Sequence, residues 1–304
     1  MIPDADRHRD HLVRVAYRLL GSLDEAEDVV QDALVRAERS APDDVREPAA
    51  WLTTVVTHAA LDRLRSARVR RESYVGPWLP EPVVGAPWHA PGPGDPADHA
   101  TLDDQVSLAM LTVLETLSPA ERAVYVLHEA FAVPLAEVAG IVGRSEAACR
   151  QLAVRARRHV RERAPRFDPD RGERARVVAG FQAACESGDL DGLARLLDEG
   201  VELRTDGGGV VTAALRPIAG RDRVVRTVAG TLRTRRLALA RRTVNGEPGL
   251  VGRIDGDPVV LAFVVDDGRI VRIDAVANPR KLRHVPPGDW PADGSGGAVP
   301  SQPP

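Results

Sequence analysis

The 304-residue sequence predicts a multidomain protein: two all-α domains, a helical bundle and a helix-turn-helix, followed by a C-terminal α+β domain. Three observations carry that prediction. Apolar residues recur at helical spacing through most of the first 160 positions. Residues 73–100, with seven prolines and four glycines, interrupt them as a linker. From about residue 173, two further helices give way to alternating apolar segments broken by turn signals.

In the first domain, Leu12, Val15, Ala16, Leu19 and Leu20 set one helix over 8–20, which Gly21 ends. Ser22 with Glu25 makes a capping-box pattern. The next helix, about 23–39, buries Val29, Val30, Ala33, Leu34 and Ala37, and turns Asp24, Glu27, Asp28, Gln31 and Asp32 outward. Pro48 opens a third helix that ends in an arginine cluster. After the linker, Leu108, Leu111, Leu114 and Leu117 restart helical structure. The run "SPAE" at 118–121 places a capping serine, a first-turn proline and a returning glutamate in order, and its helix runs to about Phe131. A short helix ended by Gly143 and a basic helix capped by Ser145 then make a helix-turn-helix. In the C-terminal part, helices are expected near 174–187, 189–198 and 221–233. Strands beginning at "VELRTD" build an antiparallel sheet, with a hairpin at Asp267-Gly268. The expected boundaries are 1–72, a linker at 73–105, 106–166, 173–285, and a disordered tail at 286–304.

Composition excludes several classes. No apolar run approaches the ~18–20 residues that span a bilayer, and the charged start lacks a signal-peptide core. Cys149 and Cys185 lie in different regions, so the cytoplasm is expected and a disulfide framework is not. The scattered histidines suggest no metal, and no cofactor motif is present. A net charge of −3 argues against a uniformly basic nucleic-acid binder, yet residues 61–72 hold five arginines and residues 144–163 hold seven. Lys281 is the only lysine.

A recognition helix meets base edges with its N-terminal side chains. Arg150, Gln151, Val154 and Arg155 occupy that part of the basic helix, and Arg158 lies beyond, where a phosphate contact is expected. The alternative is an ordinary solvated face.

The segments "DEAEDVVQDALVRA", "PAAWLTTVVTHAALDRLR" and "LSPAERAVYVLHEAFAVPLAEVAGIVGRSEAACRQLAVRARR" together resemble domains two and four of the bacterial extracytoplasmic-function sigma factors. The phrase "YVGPWLPEP" at 74–82 resembles the linker of the subgroup that carries a C-terminal SnoaL-like cone domain. That subgroup's "DGGGK" and "NPDKL" motifs stand here as "DGGGV" at 206–210 and "NPRKL" at 278–282, with Val210 and Arg280 departing from them. The resemblance implies RNA polymerase core (its β and β′ subunits) and promoter DNA as partners, with no membrane and no catalysis. It implies polymerase docking by Asp28, Gln31 and Asp32, with Leu34 and Val35 as apolar anchors. It implies contact with the −10 region by His58, Asp62, Arg63, Arg65 and Arg68, with Arg70 and Arg71 gripping phosphates beside them. Region four would read the −35 element. For His58, a partly buried core histidine is an equal alternative.

Tyr74, Trp78 and three prolines make a pre-ordered segment with aromatic anchors rather than a flexible tether. It is expected to dock on the C-terminal domain near Asp206, Gly207, Gly208 and Gly209, or near Asn278, Pro279 and Leu282, and so to regulate the two sigma regions. A stiff spacer is the alternative. The rival for the whole chain is a SnoaL-type small-molecule sensor or enzyme with a DNA-binding output, and Asp206, Asp255, Asp257 and Asp274 are its candidate acids and bases. A small-molecule ligand in the C-terminal pocket stays open under either reading.

Overall fold

The computed structural model describes residues 5–40, 45, 47–85, 106–164 and 170–291. These fall into two compact units: a helical one built from residues up to 73 and from 110–164, and a second containing 74–85, 106–109 and 170–291.

In the helical unit, α1 (Arg9–Leu20), α2 (Leu23–Ser40) and α3 (Pro48–Glu72) pack on one another. Leu12, Leu19, Val30, Leu52 and Val56 fill the space between them. Gly21, at φ +68°, ends α1 by donating its N–H to Tyr17 O. After α4 (Leu108–Leu114), the Ser118 box closes in both directions: Glu121 N–H donates to Ser118 Oγ, and Ser118 N–H to Glu121 Oε2. The helix it opens, α5 (Pro119–Val124), passes into a π-helical turn at Tyr125–Ala130, where the sequence predicted uninterrupted α-helix. Next come α6 (Leu135–Val142) and α7 (Glu146–Arg163), joined through Gly143 at φ +67°.

The second unit is the expected α+β domain. Helices α8 (Arg171–Ser187), α9 (Leu190–Leu196) and α10 (Arg221–Thr234) accompany six strands: β1 (Leu197–Asp206), β2 (Ile218–Ala219), β3 (Leu237–Val244), β4 (Glu247–Ile254), β5 (Asp257–Asp266) and β6 (Arg269–Val276). Their order is β2-β1-β6-β5-β4-β3. Asn245-Gly246, Asp255-Gly256 and Asp267-Gly268 turn the three hairpins with positive φ at both residues, as type I′ turns require. The sheet is mixed rather than wholly antiparallel. Three hairpins bring β6 back beside β1 in the same direction, pairing Leu203 with Ile273 and Asp206 with Val276. Residues 197 and 198, predicted as a helix end, begin β1 instead.

Side chains alternate across the sheet. One face sends Leu203, Leu239, Val259, Phe263 and Ile273 toward the helices. The other collects Val244, Val251, Val260 and Val276 around Leu79, Val84, Leu282 and Val285. Leu79 and Val84 belong to the linker, whose residues 74–85 therefore pack as part of this domain.

The predicted disordered tail needs correction at its start. Pro287–Asp289 form a 3-10 turn, Asp289 pairs with Arg242 at 2.8 Å, and the Arg253 guanidinium lies 5.6 Å from the Trp290 ring. Those contacts hold the chain through Trp290. Residues 292–304, and linker residues 86–105, lie outside the described residues. Among the described residues no helix is long and apolar enough to cross a membrane.

Candidate nucleic-acid interface and linker seat

Helix α7 starts at a clean cap, Ser145 Oγ accepting from Ala148 N–H. Cys149, Leu152, Ala153, Ala156 and Val160 face inward, which leaves Arg150, Gln151, Val154, Arg155 and Arg158 exposed. Val154 is 53% exposed, so an apolar group stands among the arginines, able to meet a thymine methyl. Arg150 pairs with Glu146 at 2.6 Å and Arg155 with Glu121 at 3.4 Å. The exposed Arg150–Glu146 pair contributes about 0–1 kcal/mol, so a phosphate or a base edge can displace it.

On α2, Asp28, Gln31 and Asp32 are exposed. Arg63 of α3 reaches Asp28 at 3.3 Å, and Arg9 donates to Gln31 Oε1 at 2.9 Å. Leu34 does not belong to that face. It is 5% exposed, one helical turn after buried Val30, and packs in the bundle; Val35 is half-buried. On α3, Asp62 pairs with Arg65, while the His58 ring is exposed with Nε2 2.6 Å from Ile141 O. His58 is therefore not a core histidine. The side chains of Arg68 and Arg70 lie outside the described residues. Arg71 is not placed as a phosphate grip: it donates to Leu20 O at 2.6 Å and pairs with Glu115.

Glu115 also pairs with Arg122, which is 2% exposed and donates through Nε to Arg18 O at 3.1 Å. Burial lowers the Arg122 guanidinium to about 9. One carboxylate thus holds two arginines in the interior of the helical unit. Sequence patterning did not single out this clasp, because Glu115 and Arg122 look like ordinary surface charges on either side of the Ser118 cap.

The linker seat is built around Asp206, the last residue of β1. Strand alternation turns its carboxylate to the linker face, where it is fully buried. It accepts from Tyr74 OH at 2.5 Å and from Leu79 N–H at 2.9 Å, and pairs with Lys281 Nζ at 2.8 Å. Lys281 also donates to Leu79 O, and its ammonium lies 4.1 Å from the Trp78 ring centroid and 5.0 Å from that of Tyr74. A buried charge is tolerated when it is paired and fully hydrogen-bonded, and here both partners are. Asn278 donates to Tyr74 OH at 2.9 Å and accepts from Arg280 N–H, which shapes the turn at Pro279. At Gly208 (φ +60°) a Cβ would fall 2.2 Å from Asn278 Nδ2, and at Gly209 one would meet Val75 at 3.3 Å; at Gly207 one would lie 2.3 Å from Val211 O. The three glycines let backbone and linker close together. Further on, Val84 bridges Val244 antiparallel, Gly85 N–H donates to Thr243 O, and Asn245 exchanges hydrogen bonds with Val83. The linker therefore covers the exposed edge of β3.

Tyr74, Trp78, Asp206, the glycines, Asn278 and Leu282 are thus brought together. Missing from the predicted set were Lys281, Leu79 and Asn245. The signal for Lys281 was on the page: it is the one lysine in a chain that otherwise uses arginine. Its compact ammonium lies against both rings while pairing with Asp206 and donating to Leu79 O.

Burial, together with the neighbouring Asp206 carboxylate, raises the Tyr74 phenol well above its ordinary 10.0. Docking therefore favours the protonated phenol, so its contribution is complete below pH 10 and is lost as pH rises beyond it. Alkaline titration followed by hydrogen exchange of residues 74–85 should show the segment loosening above about pH 10 in the native chain. Tyr74→Phe should lack that transition; an identical profile in both chains removes Tyr74 as its cause.

Comparison with known proteins follows the same division of the chain. Sigma-70 region 2 matches residues 5–70, and Sigma-70, region 4 matches residues 107–160. The chain is similar to the ECF RNA polymerase sigma factor SigJ of Mycobacterium tuberculosis, 41% identical over 297 residues that cover 91% of this chain and 92% of the relative. It is also similar to the probable ECF RNA polymerase sigma factor SigI of the same species, 36% identical over 281 residues, covering 90% and 92%. The crystal structure of M. tuberculosis SigJ superposes with a TM-score of 0.72 at 37% identity, covering 91% of this chain and 96% of that one.

Proposed function

Because the chain belongs to the extracytoplasmic-function RNA polymerase sigma factors, we propose that its promoter reading is governed from within, by the seat its C-terminal domain offers the linker between sigma regions two and four. The chain's role is to direct RNA polymerase core to promoters and initiate transcription, which places its work in the cytoplasm with the polymerase. Sigma factors catalyse no reaction themselves.

The observation that carries the regulatory reading is the buried Asp206–Lys281 pair, both members of which hold linker atoms. A spacer needs no such seat. The linker joins the two promoter-reading regions, so fixing its path restricts the separations they can adopt. In this reading Arg150, Gln151, Val154 and Arg155 meet −35 bases and Arg158 a phosphate. His58, Asp62, Arg63, Arg65 and Arg68 serve the −10 region, and Asp28, Gln31, Asp32 and Val35 dock on polymerase.

Run-off transcription with core polymerase tests it. Tyr74→Ala combined with Trp78→Ala should change transcript yield as much as removal of residues after 166 does. Wild-type yield from the double variant, with core binding retained, would leave the linker as a spacer only. The base-reading assignment has its own test. Arg150→Ala should cost about 1–3 kcal/mol at one −35 base and relax preference there, whereas Arg158→Ala should weaken binding evenly across sequences. Binding to a set of single-base promoter variants measures both; the same profile for the two variants contradicts the division.

The C-terminal domain as an enzyme finds less support. Among the described residues lining its cavity, Cys185 and Arg235 are the only ionisable side chains, and burial pushes the Cys185 thiol up to about 12. Asp206 and Asp274 lie on the opposite face of the sheet, Asp274 paired with Arg272 at 3.1 Å. Asp255 is in a hairpin turn and Asp257 is exposed at the start of β5. Among the described residues no acid–base pair faces the cavity. A small molecule held there without turnover is compatible with the regulatory reading.

A further inference from the structure

The sheet face opposite the linker walls a cavity of about 320 Å³, closed by α8 and α10. Small-molecule sites occupy about 300–1,000 Å³, so this one suits a compact ligand. Phe181, Leu203, Val228, Leu232 and Ile273 represent its lining, which is mostly aliphatic. Three of its four threonines already spend their hydroxyl protons on backbone oxygens: Thr205 on Ala214, Thr227 on Arg223 and Thr231 on Thr227. A sugar or nucleotide would find few partners. One charged side chain lines the space, Arg235, half-buried and without a side-chain hydrogen bond or ion pair among the described residues. An apolar wall with a single unspent guanidinium matches an apolar body bearing one anionic head.

The cavity and the linker seat share a wall. Thr205 lines the cavity, and Asp206, the next residue, holds the linker from the other face. Thr205 Oγ1 accepts from Ala214 N–H at 2.8 Å, which ties strand β1 to the segment that follows it. Within that segment Thr212, Ala213 and Ala214 line the cavity. Gly208 and Gly209 lie against Tyr74 and Val75, and Ala214 O is 3.7 Å from where a side chain at Gly76 would start. Residues 205–215 therefore touch the cavity on one side and the linker on the other.

We propose that this cavity binds a small molecule with an apolar body and one anionic head, held by Arg235, and that occupancy changes the linker seat through residues 205–215. The second half rests on the regulatory reading of the seat; the first does not.

The single lysine supplies the readout. Lys281 is buried in the docked seat, so its acylation, measured by mass spectrometry against the N-terminal amine, reports linker release. Decanoate and decanol serve as probes of the full-length chain by isothermal titration calorimetry. Decanoate should bind about tenfold more tightly than decanol, and Arg235→Gln should remove that preference while leaving decanol binding unchanged. Val228→Trp, or Thr231→Leu should the first variant fail to fold, should fill the space and abolish binding of both. Saturating decanoate should change the Lys281 acylation rate about threefold. Absence of binding by either probe overturns the site, as does binding that survives cavity filling in a folded chain. Equal affinity of the two probes overturns the anionic head. Binding with an unchanged acylation rate overturns the coupling, and leaves the sigma-factor reading to the ligand-free Tyr74 and Trp78 test.

Discussion

Asp206→Ala is expected to destabilise the linker seat by about 3–5 kcal/mol, because it strands a buried charge. Three donors lose their acceptor together: the Tyr74 hydroxyl, the Leu79 N–H and the Lys281 ammonium. Lys281 suffers most, since its ammonium stays enclosed by Trp78 and Tyr74 after losing the Asp206 carboxylate. The linker should therefore exchange its amides faster over 74–85, and Lys281 should become open to acylation. Adding Lys281→Met to Asp206→Ala should recover part of the loss, since it removes the stranded ammonium while keeping an apolar stem against the rings. Hydrogen exchange and acylation of the full chain measure both steps. If Asp206→Ala alone leaves the segment as protected as in the native chain, the carboxylate does not hold the linker.

Glu115→Ala should be the most damaging single change in the helical unit, again by about 3–5 kcal/mol. It leaves the fully buried Arg122 without its carboxylate, beside the Arg18 carbonyl, and it removes the ion pair of Arg71. The expected result is a lower thermal midpoint for the helical transition. Arg122→Met in the Glu115→Ala background should restore much of it, because a flexible apolar side chain of similar length fills the same space without a charge. A chain in which Arg122→Met makes Glu115→Ala no better would mean that Arg71, not Arg122, carries the cost.

Much of the helical unit was legible because its signals are local. Gly21 and Gly143 ended their helices, Ser118 and Ser145 began theirs, and the apolar spacing fixed which faces turned inward. Leu34 was misassigned for a reason the same spacing contains: it lies four residues after Val30, on the inner stripe, and family resemblance outweighed that periodicity. The π-helical turn at Tyr125–Ala130 had no sequence signal, since it differs from α-helix by one residue of hydrogen-bond register.

The sequence by itself determined that this chain carries two helical domains and an α+β domain, that its basic helix follows a capped turn, and that prolines restrict the backbone of residues 74–82. Those are matters of spacing, capping and backbone restriction, which neighbouring residues settle among themselves. Only the tertiary structure decided that β1 runs parallel to β6, that Asp206 and Thr205 serve opposite faces of one strand, and that Lys281 closes the seat between Trp78 and Tyr74. Residues 74, 206 and 281 are far apart in the chain, and their meeting depends on which strand end the sheet places beside which turn. A buried ion pair of this kind costs desolvation that only the completed set of partners offsets, so no member announces its role until all of them are in place.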